Sequence, residues 1–158
     1  MPLFNMMQLR ARLAPGQRLL GLDPGSRVIG VALSDVSLLL ASPHASLKRG
    51  RLAANAAAIA AIARRQNAGG LVVGLPLSLD GSTGPAAQAA RDWTHALSAA
   101  TGLPAALWDE RLSSAAVNRF LIEEADMSRR RRAEVVDRMA AAYLLQAALD
   151  ASRGEVGN

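Results

Sequence analysis

Residues 19–35 read LLGLDPGSRVIGVALSD. Leu19, Leu20 and Leu22 form an apolar approach to Asp23, and Pro24-Gly25-Ser26 is turn chemistry. Val28, Ile29, Val31 and Leu33 then resume a β-branched, partly alternating pattern. The stretch predicts a strand that turns straight back on itself and leaves one carboxylate at the rim of a sheet. Held on such rigid backbone, Asp23 is placed to grip a metal ion. An Asp that merely opens a turn is the plainer account, since Asp-Pro-Gly is a common loop tripeptide. The rest of the chain has to decide between them.

Working outward, Arg18 to Asp23, Arg27 to Ser34 and Leu38 to Leu47, with Pro43 inside it, are three strand candidates. Their short connections predict an antiparallel meander. Asn55 to Gln66 reads as a helix with Leu52, Ala56, Ile59 and Ala63 on one stripe, stopped by Gly69-Gly70. Leu71 to Leu75 is continuously apolar, as a strand buried on both faces should be. A polar loop from Ser78 to Gly84 follows, and Pro85 opens a helix to about Ala100. Leu103 to Trp108 is a further strand, ending at Asp109-Glu110-Arg111, before a helix carrying Val117, Phe120 and Leu121. A basic segment, Ser128 to Arg132, leads to a last helix from about Ala133 to Ser152. This order predicts an α/β fold: a mixed five-stranded sheet, three strands antiparallel and two parallel, flanked by helices. Residues 1–17 read as a short flexible lead-in, 18–152 as one domain and 153–158 as a tail.

The chain has 158 residues, enough for one domain with a proper core, and 51% of them are hydrophobic. It contains no Cys, which excludes disulfides and thiolate metal sites and suits a reducing, cytoplasmic setting. No apolar run approaches the ~20 residues of a membrane span. The first residues lack the apolar core of a signal peptide. A net charge of +5, nearly all Arg with Lys48 the single Lys, favours a polyanionic partner. A GC-rich coding sequence would leave the same Ala- and Arg-rich composition.

Two further acids stand out. Glu110 lies just past the carboxyl end of a predicted strand, the edge of an open α/β sheet where ligands collect; the plainer account is that Asp109 and Glu110 are ordinary loop acids, with Ser113 or Ser114 capping the next helix. Asp137 falls on the last helix, on a stripe at 133, 137, 140, 141, 144 and 148 that is otherwise Ala and Leu. A carboxylate turned toward packed surface is costly unless paired or metal-bound; a salt bridge to Arg27 or Arg111 is the alternative. Together Asp23, Glu110 and Asp137 could hold one or two Mg2+ or Mn2+ ions, which take oxygen ligands. Two such ions roughly 4 Å apart support phosphodiester hydrolysis.

The stretch 74–84, GLPLSLDGSTG, offers Gly74, Asp80, Gly81 and Ser82 before a helix N-terminus, a suitable cradle for a sugar–phosphate backbone. It has no Gly-Lys-Ser/Thr and is not a Walker A loop. Arg129, Arg130, Arg131 and Arg132 form a block suited to nucleic-acid contact or to a solvated turn. Trp93 shares a helix face with Leu97 and reads as core, and His44 and His95 lack metal-ligand spacing.

Four blocks in order, GLDPGSRVIGVALSD, LVVGLPLSLDGSTG, WDERLSSAAV and RRAEVVDRMAAAYLLQAALD, make the chain resemble the YqgF/RuvX family from about Leu19 to Asp150. That family comprises pre-16S rRNA nucleases and Holliday junction resolvase-like proteins. The resemblance implies a ribonuclease H-like fold, with Asp23, Glu110 and Asp137 matching the family's three acids and Asp80, Gly81 and Ser82 its substrate-facing loop. It implies trimming of the 5′ end of precursor 16S rRNA with a divalent metal, Arg27 and Arg111 supporting the site. Pro24, Ser114 and the Arg-rich approach to Asp137 depart from the usual pattern and bear on substrate fit, since no acid is lost.

A junction-cleaving DNA resolvase would use the same chemistry, and should be a symmetric dimer, whereas the RNA reading is compatible with a monomer or weak homodimer. An actin-like ATPase also begins with an Asp-bearing phosphate hairpin but needs two lobes, for which 158 residues leave no room. A non-catalytic RNA-binding or transcription-associated factor would keep the fold and tolerate loss of Asp23.

Overall fold

Alternation along β1 (Arg18–Pro24) sorts its side chains between two cores. Leu20 and Leu22 pack with Ile59, Ile62 and Leu97 on one face, while Leu19 packs with Leu9, Leu145 and Leu149 on the other. The strand is therefore central, and its near-continuous apolar sequence follows from burial on both sides. The computed structural model describes residues 2–76, 84–109 and 129–153, those from 129 to 137 only by their place in a helix.

Five strands form one sheet in the order β3-β2-β1-β4-β5. β2 (Val28–Ser34) and β3 (Ala41–Lys48) complete an antiparallel meander with β1, and β4 (Ala68–Leu75) and β5 (Ala105–Asp109) run parallel to it. This is the mixed sheet expected from the order of elements. Pro43 is accommodated because β3 is an edge strand and its register against β2 shifts between Val31 and Ala32. Helices α2 (Leu52–Gln66) and α3 (Pro85–Thr101) cover one face, and α4 (Arg129–Arg153) crosses β1, β2 and β3 on the other.

Three expectations change. Residues 1–17 hold a helix, α1 (Met6–Ala11), rather than a loose lead-in. Asn5 and Gln8 form a capping box, Leu9 is fully buried, and Arg10 donates to Ser152 Oγ at 2.8 Å and to the Leu149 carbonyl at 3.0 Å. Six residues give too short a period for their apolar positions to register as a helix in the sequence, yet those positions close the α4 core. Second, α2 is ended by Asn67, left-handed at φ 54°, ψ 49°, and Gly69-Gly70 already belong to β4. Gly70 serves space instead: a Cβ there would meet Leu9 Cδ1 at 2.8 Å and Leu19 Cδ2 at 3.0 Å. Third, Arg129 to Arg132 lie within α4 rather than before it, consistent with the good helix propensity of Arg. The predicted helix with Val117, Phe120 and Leu121 lies outside the described residues.

Candidate active site

The carboxyl ends of the three parallel strands meet at one edge of the sheet. Leu22 pairs with Val73, Gly74 with Trp108 and Leu75 with Asp109, so Asp23, Gly74 and Asp109 stand at nearly the same level. Asp23 is paired with Gly30 of β2 and only 9% exposed. The turn behind it is closed by the Gly25 N–H, which donates to the Asp23 carbonyl at 3.0 Å and to the Val28 carbonyl at 2.9 Å. Asp23 is thus a carboxylate on a strand flanked by two others, with little backbone freedom. Glu110 would follow directly from β5 at this edge; it and Arg111 lie outside the described residues, as do Asp80, Gly81 and Ser82.

Helix α4 supplies the second approach to the edge. Leu19, Gly21 and Asp23 alternate onto its face of the sheet, and Gly21 lies beneath Ala141 and Leu145. Further along α4, Gln146 binds the Ala41 N–H and the Leu39 carbonyl, and Leu149 and Ser152 meet Arg10. Those contacts lie at the amino end of β1, so the helix runs from the Asp23 edge toward them. One turn before Ala141, about 6 Å along the axis, comes position 137. Two residues beyond Gly21, roughly 6.6 Å along the strand, comes Asp23. The backbone therefore carries position 137 toward the Asp23 edge. Of Arg129 to Arg132, only their place at the amino end of α4 is described.

Gly74 is at the edge for a packing reason: a Cβ on it would meet Leu144 Cδ2 at 3.1 Å. Arg27 is exposed on the turn after Asp23, and its carbonyl accepts from the Arg49 N–H at 2.9 Å. Arg49 is the residue that sequence reading missed. With Trp93 it lines a cavity of about 380 Å³ whose other walls include Asp23, Gly74, Pro76 and Ala86. Trp93 does pack against the core, as its spacing with Leu97 suggests, and also turns a surface to this cavity. A lone Arg between a strand and a helix carries no pattern that would single it out.

Among the described residues no three acids or histidines come together as a metal site. Asp23 is the one member of the proposed triad whose side chain is described, and a buried carboxylate at a strand end fits the oxygen chemistry of Mg2+ or Mn2+.

A family model described as Holliday junction resolvase, RuvX, matches residues 17–151. The chain belongs to the RuvX family. It is 67% identical over 152 residues to a protein of Gluconacetobacter diazotrophicus, covering 96% of this chain and 99% of that one. It is 70% identical over 155 residues to one of Gluconobacter oxydans, covering 98% and 97%. Both relatives carry the name "Putative pre-16S rRNA nuclease". In fold, this RuvX chain is similar to Thermus thermophilus RuvC in complex with Holliday junction substrate, with a TM-score of 0.55, 16% identity and coverage of 87% of this chain and 96% of that one. The RuvX chain is thus a nuclease of ribonuclease H-like fold. Among its described residues no helix is long and apolar enough to cross a membrane.

Proposed function

We propose that this protein is a divalent-metal-dependent nuclease that trims the 5′ end of precursor 16S rRNA in the cytoplasm, acting from a single domain that includes α1, as a monomer or weak homodimer. The observation that carries the reading is the buried Asp23 at the sheet edge toward which α4 brings position 137. The relatives' naming favours precursor rRNA over DNA junctions as substrate.

Asp23, Glu110 and Asp137 would hold Mg2+ or Mn2+. Bound there, such ions supply the activation of water and the charge stabilisation that phosphodiester hydrolysis needs. Asp23 presents its oxygens from a strand with neighbours on both sides, so its position costs no reorganisation. Arg129 to Arg132 would attract the phosphate backbone, Arg27 and Arg111 would support the site, and Gly74 with the loop of Asp80, Gly81 and Ser82 would receive the strand.

The test is incubation with a precursor 16S rRNA 5′ fragment plus Mg2+ or Mn2+, wild type against Asp137→Asn, with four-way DNA as competitor. Cleavage by the wild type alone supports the reading. Equal cleavage by both removes the three-acid mechanism, inactivity of both points to a binding factor, and preferential cutting of the junction makes the protein a resolvase.

A further inference from the structure

The cavity beside Asp23 combines flat apolar walls with a guanidinium. Its α3 wall is made by Ala86, Ala89, Ala90 and Trp93, which fall on one helix face at consecutive turns. The three alanines leave the space, and the indole and Pro76 give it flat apolar sides. Across it, the Arg49 guanidinium lies 5.4 Å from the Trp93 ring centroid, within cation–π range. Asp23 is also among the lining residues, near the carboxyl end of β1.

Arg49 is held there by its own backbone and by a buried amide. Its N–H donates to the Arg27 carbonyl at 2.9 Å, and its Nη1 donates to the Gly25 carbonyl at 2.9 Å. On either side, Asn55, only 5% exposed, accepts from the Gly50 N–H at 2.9 Å and donates to the Lys48 carbonyl at 3.1 Å. The guanidinium is thus tied both to the turn that follows Asp23 and to the ring of Trp93. A guanidinium carries five N–H donors in one plane, well suited to phosphate.

We propose that this cavity binds one unpaired nucleotide next to the bond that is cut, its base against Trp93 and its phosphate on Arg49. The inference rests on the nuclease reading and sharpens it: a base can enter this pocket only when it is out of a duplex stack, so the strand is single at that position. A volume of about 380 Å³ is in the range of small-ligand sites and accommodates a base with its sugar.

The chain has two tryptophans, so Trp108→Phe leaves Trp93 as the sole indole reporter. In EDTA, to prevent cleavage, a ten-nucleotide oligoadenylate RNA is titrated in, with Trp93 emission and fluorescence anisotropy of a labelled strand followed together. Saturable quenching of Trp93 is expected. An abasic strand of the same length and a duplex of the same sequence should each bind roughly 5- to 150-fold more weakly, the range of a lost base–aromatic stack, and the Arg49→Ala protein should also bind more weakly. Arg49→Lys should retain the charge-driven part and lose the planar fork that holds the phosphate. Circular dichroism of each variant checks the fold, and Trp93→Phe, which keeps a ring, should bind better than Trp93→Leu.

Strand binding by anisotropy with unchanged Trp93 emission overturns the proposal, as does equal affinity for the abasic strand or the duplex, or no binding at all. Cleavage of precursor rRNA with a silent Trp93 sinks this inference and leaves the nuclease standing. Quenching without cleavage when metal is supplied does the reverse.

Discussion

Leu145 of α4 sits directly on Gly21 of β1: a Cβ added to that glycine would fall 2.7 Å from Leu145 Cβ and 3.2 Å from the Ala141 carbonyl oxygen. The contact sets how closely the last helix approaches the sheet, and with it how close position 137 comes to the Asp23 edge. Backbone cannot yield as a side chain can, so Gly21→Ala should destabilise the fold by about 1–3 kcal/mol. Because the helix is displaced on its acid-bearing side, nuclease activity should fall further than the loss of folded protein explains. Urea unfolding and activity normalised to folded fraction check the pair.

Asp23→Asn should abolish cleavage while preserving the structure. The amide keeps the shape of the carboxylate and removes the charge that a divalent ion requires. Groups behind metal ligands already cost roughly 10–100-fold when removed, so a loss of about 100-fold or more is expected for a direct ligand. Metal-dependent cleavage, with circular dichroism for the fold, is the measurement.

Asn55→Ala removes the acceptor for Gly50 and the donor for Lys48. A net cost of about 1–2 kcal/mol in stability follows. The backbone around Arg49 is then less well held, so KM for an RNA substrate should rise while kcat changes little. A fall in kcat at unchanged KM would show instead that the clamp acts on the acids.

Leu9→Ala tests whether the first residues belong to the core. Leu9 is fully buried among Leu19, Leu145 and Leu149. A large apolar deletion at such a place costs about 2–5 kcal/mol, whereas a change in a loose lead-in costs nothing. A denaturation midpoint equal to wild type would refute the docking of α1.

Asp35 gives a pH dependence. Its carboxylate accepts from the Leu40 and Leu39 N–H groups at 3.1 and 2.8 Å across the β2–β3 connection. The Leu40 hydrogen bond is the largest cause that holds its pKa below the ordinary value of 3.8; burial opposes it, and the Leu39 hydrogen bond and the charge of Arg18 add to the lowering. A carboxyl with a lowered folded pKa stabilises fully above its unfolded pKa and ceases to as pH falls through the folded one. The stability gap between wild type and Asp35→Ala should therefore be constant near neutrality and close below about pH 4. A gap that widens on acidification would contradict this.

Read along the chain, the five strands, the carboxylate at the first strand's end and the long last helix follow from apolar runs, turn residues and a helical stripe. These are local signals, because side-chain direction repeats every two residues in a strand and every 3.6 in a helix. The stripe on the last helix is matched where its side chains are described: Ala140, Ala141, Leu144 and Ala148 are all buried. Asp23 was legible for the same reason, as an acid closing an apolar run.

The remaining features depend on residues far apart in the chain. The first helix is too short to announce itself and is held by Leu9 and Arg10 against α4, more than a hundred residues away. Gly70 and Gly74 punctuate the sequence like turn residues, yet their missing side chains make room for Leu9 and Leu144. Arg49 and Trp93 belong to no motif, because a site made by one strand end, one turn and one helix face exists only when the sheet brings them together. The sequence determined which groups are present and on which local face they lie; packing decided which of them meet.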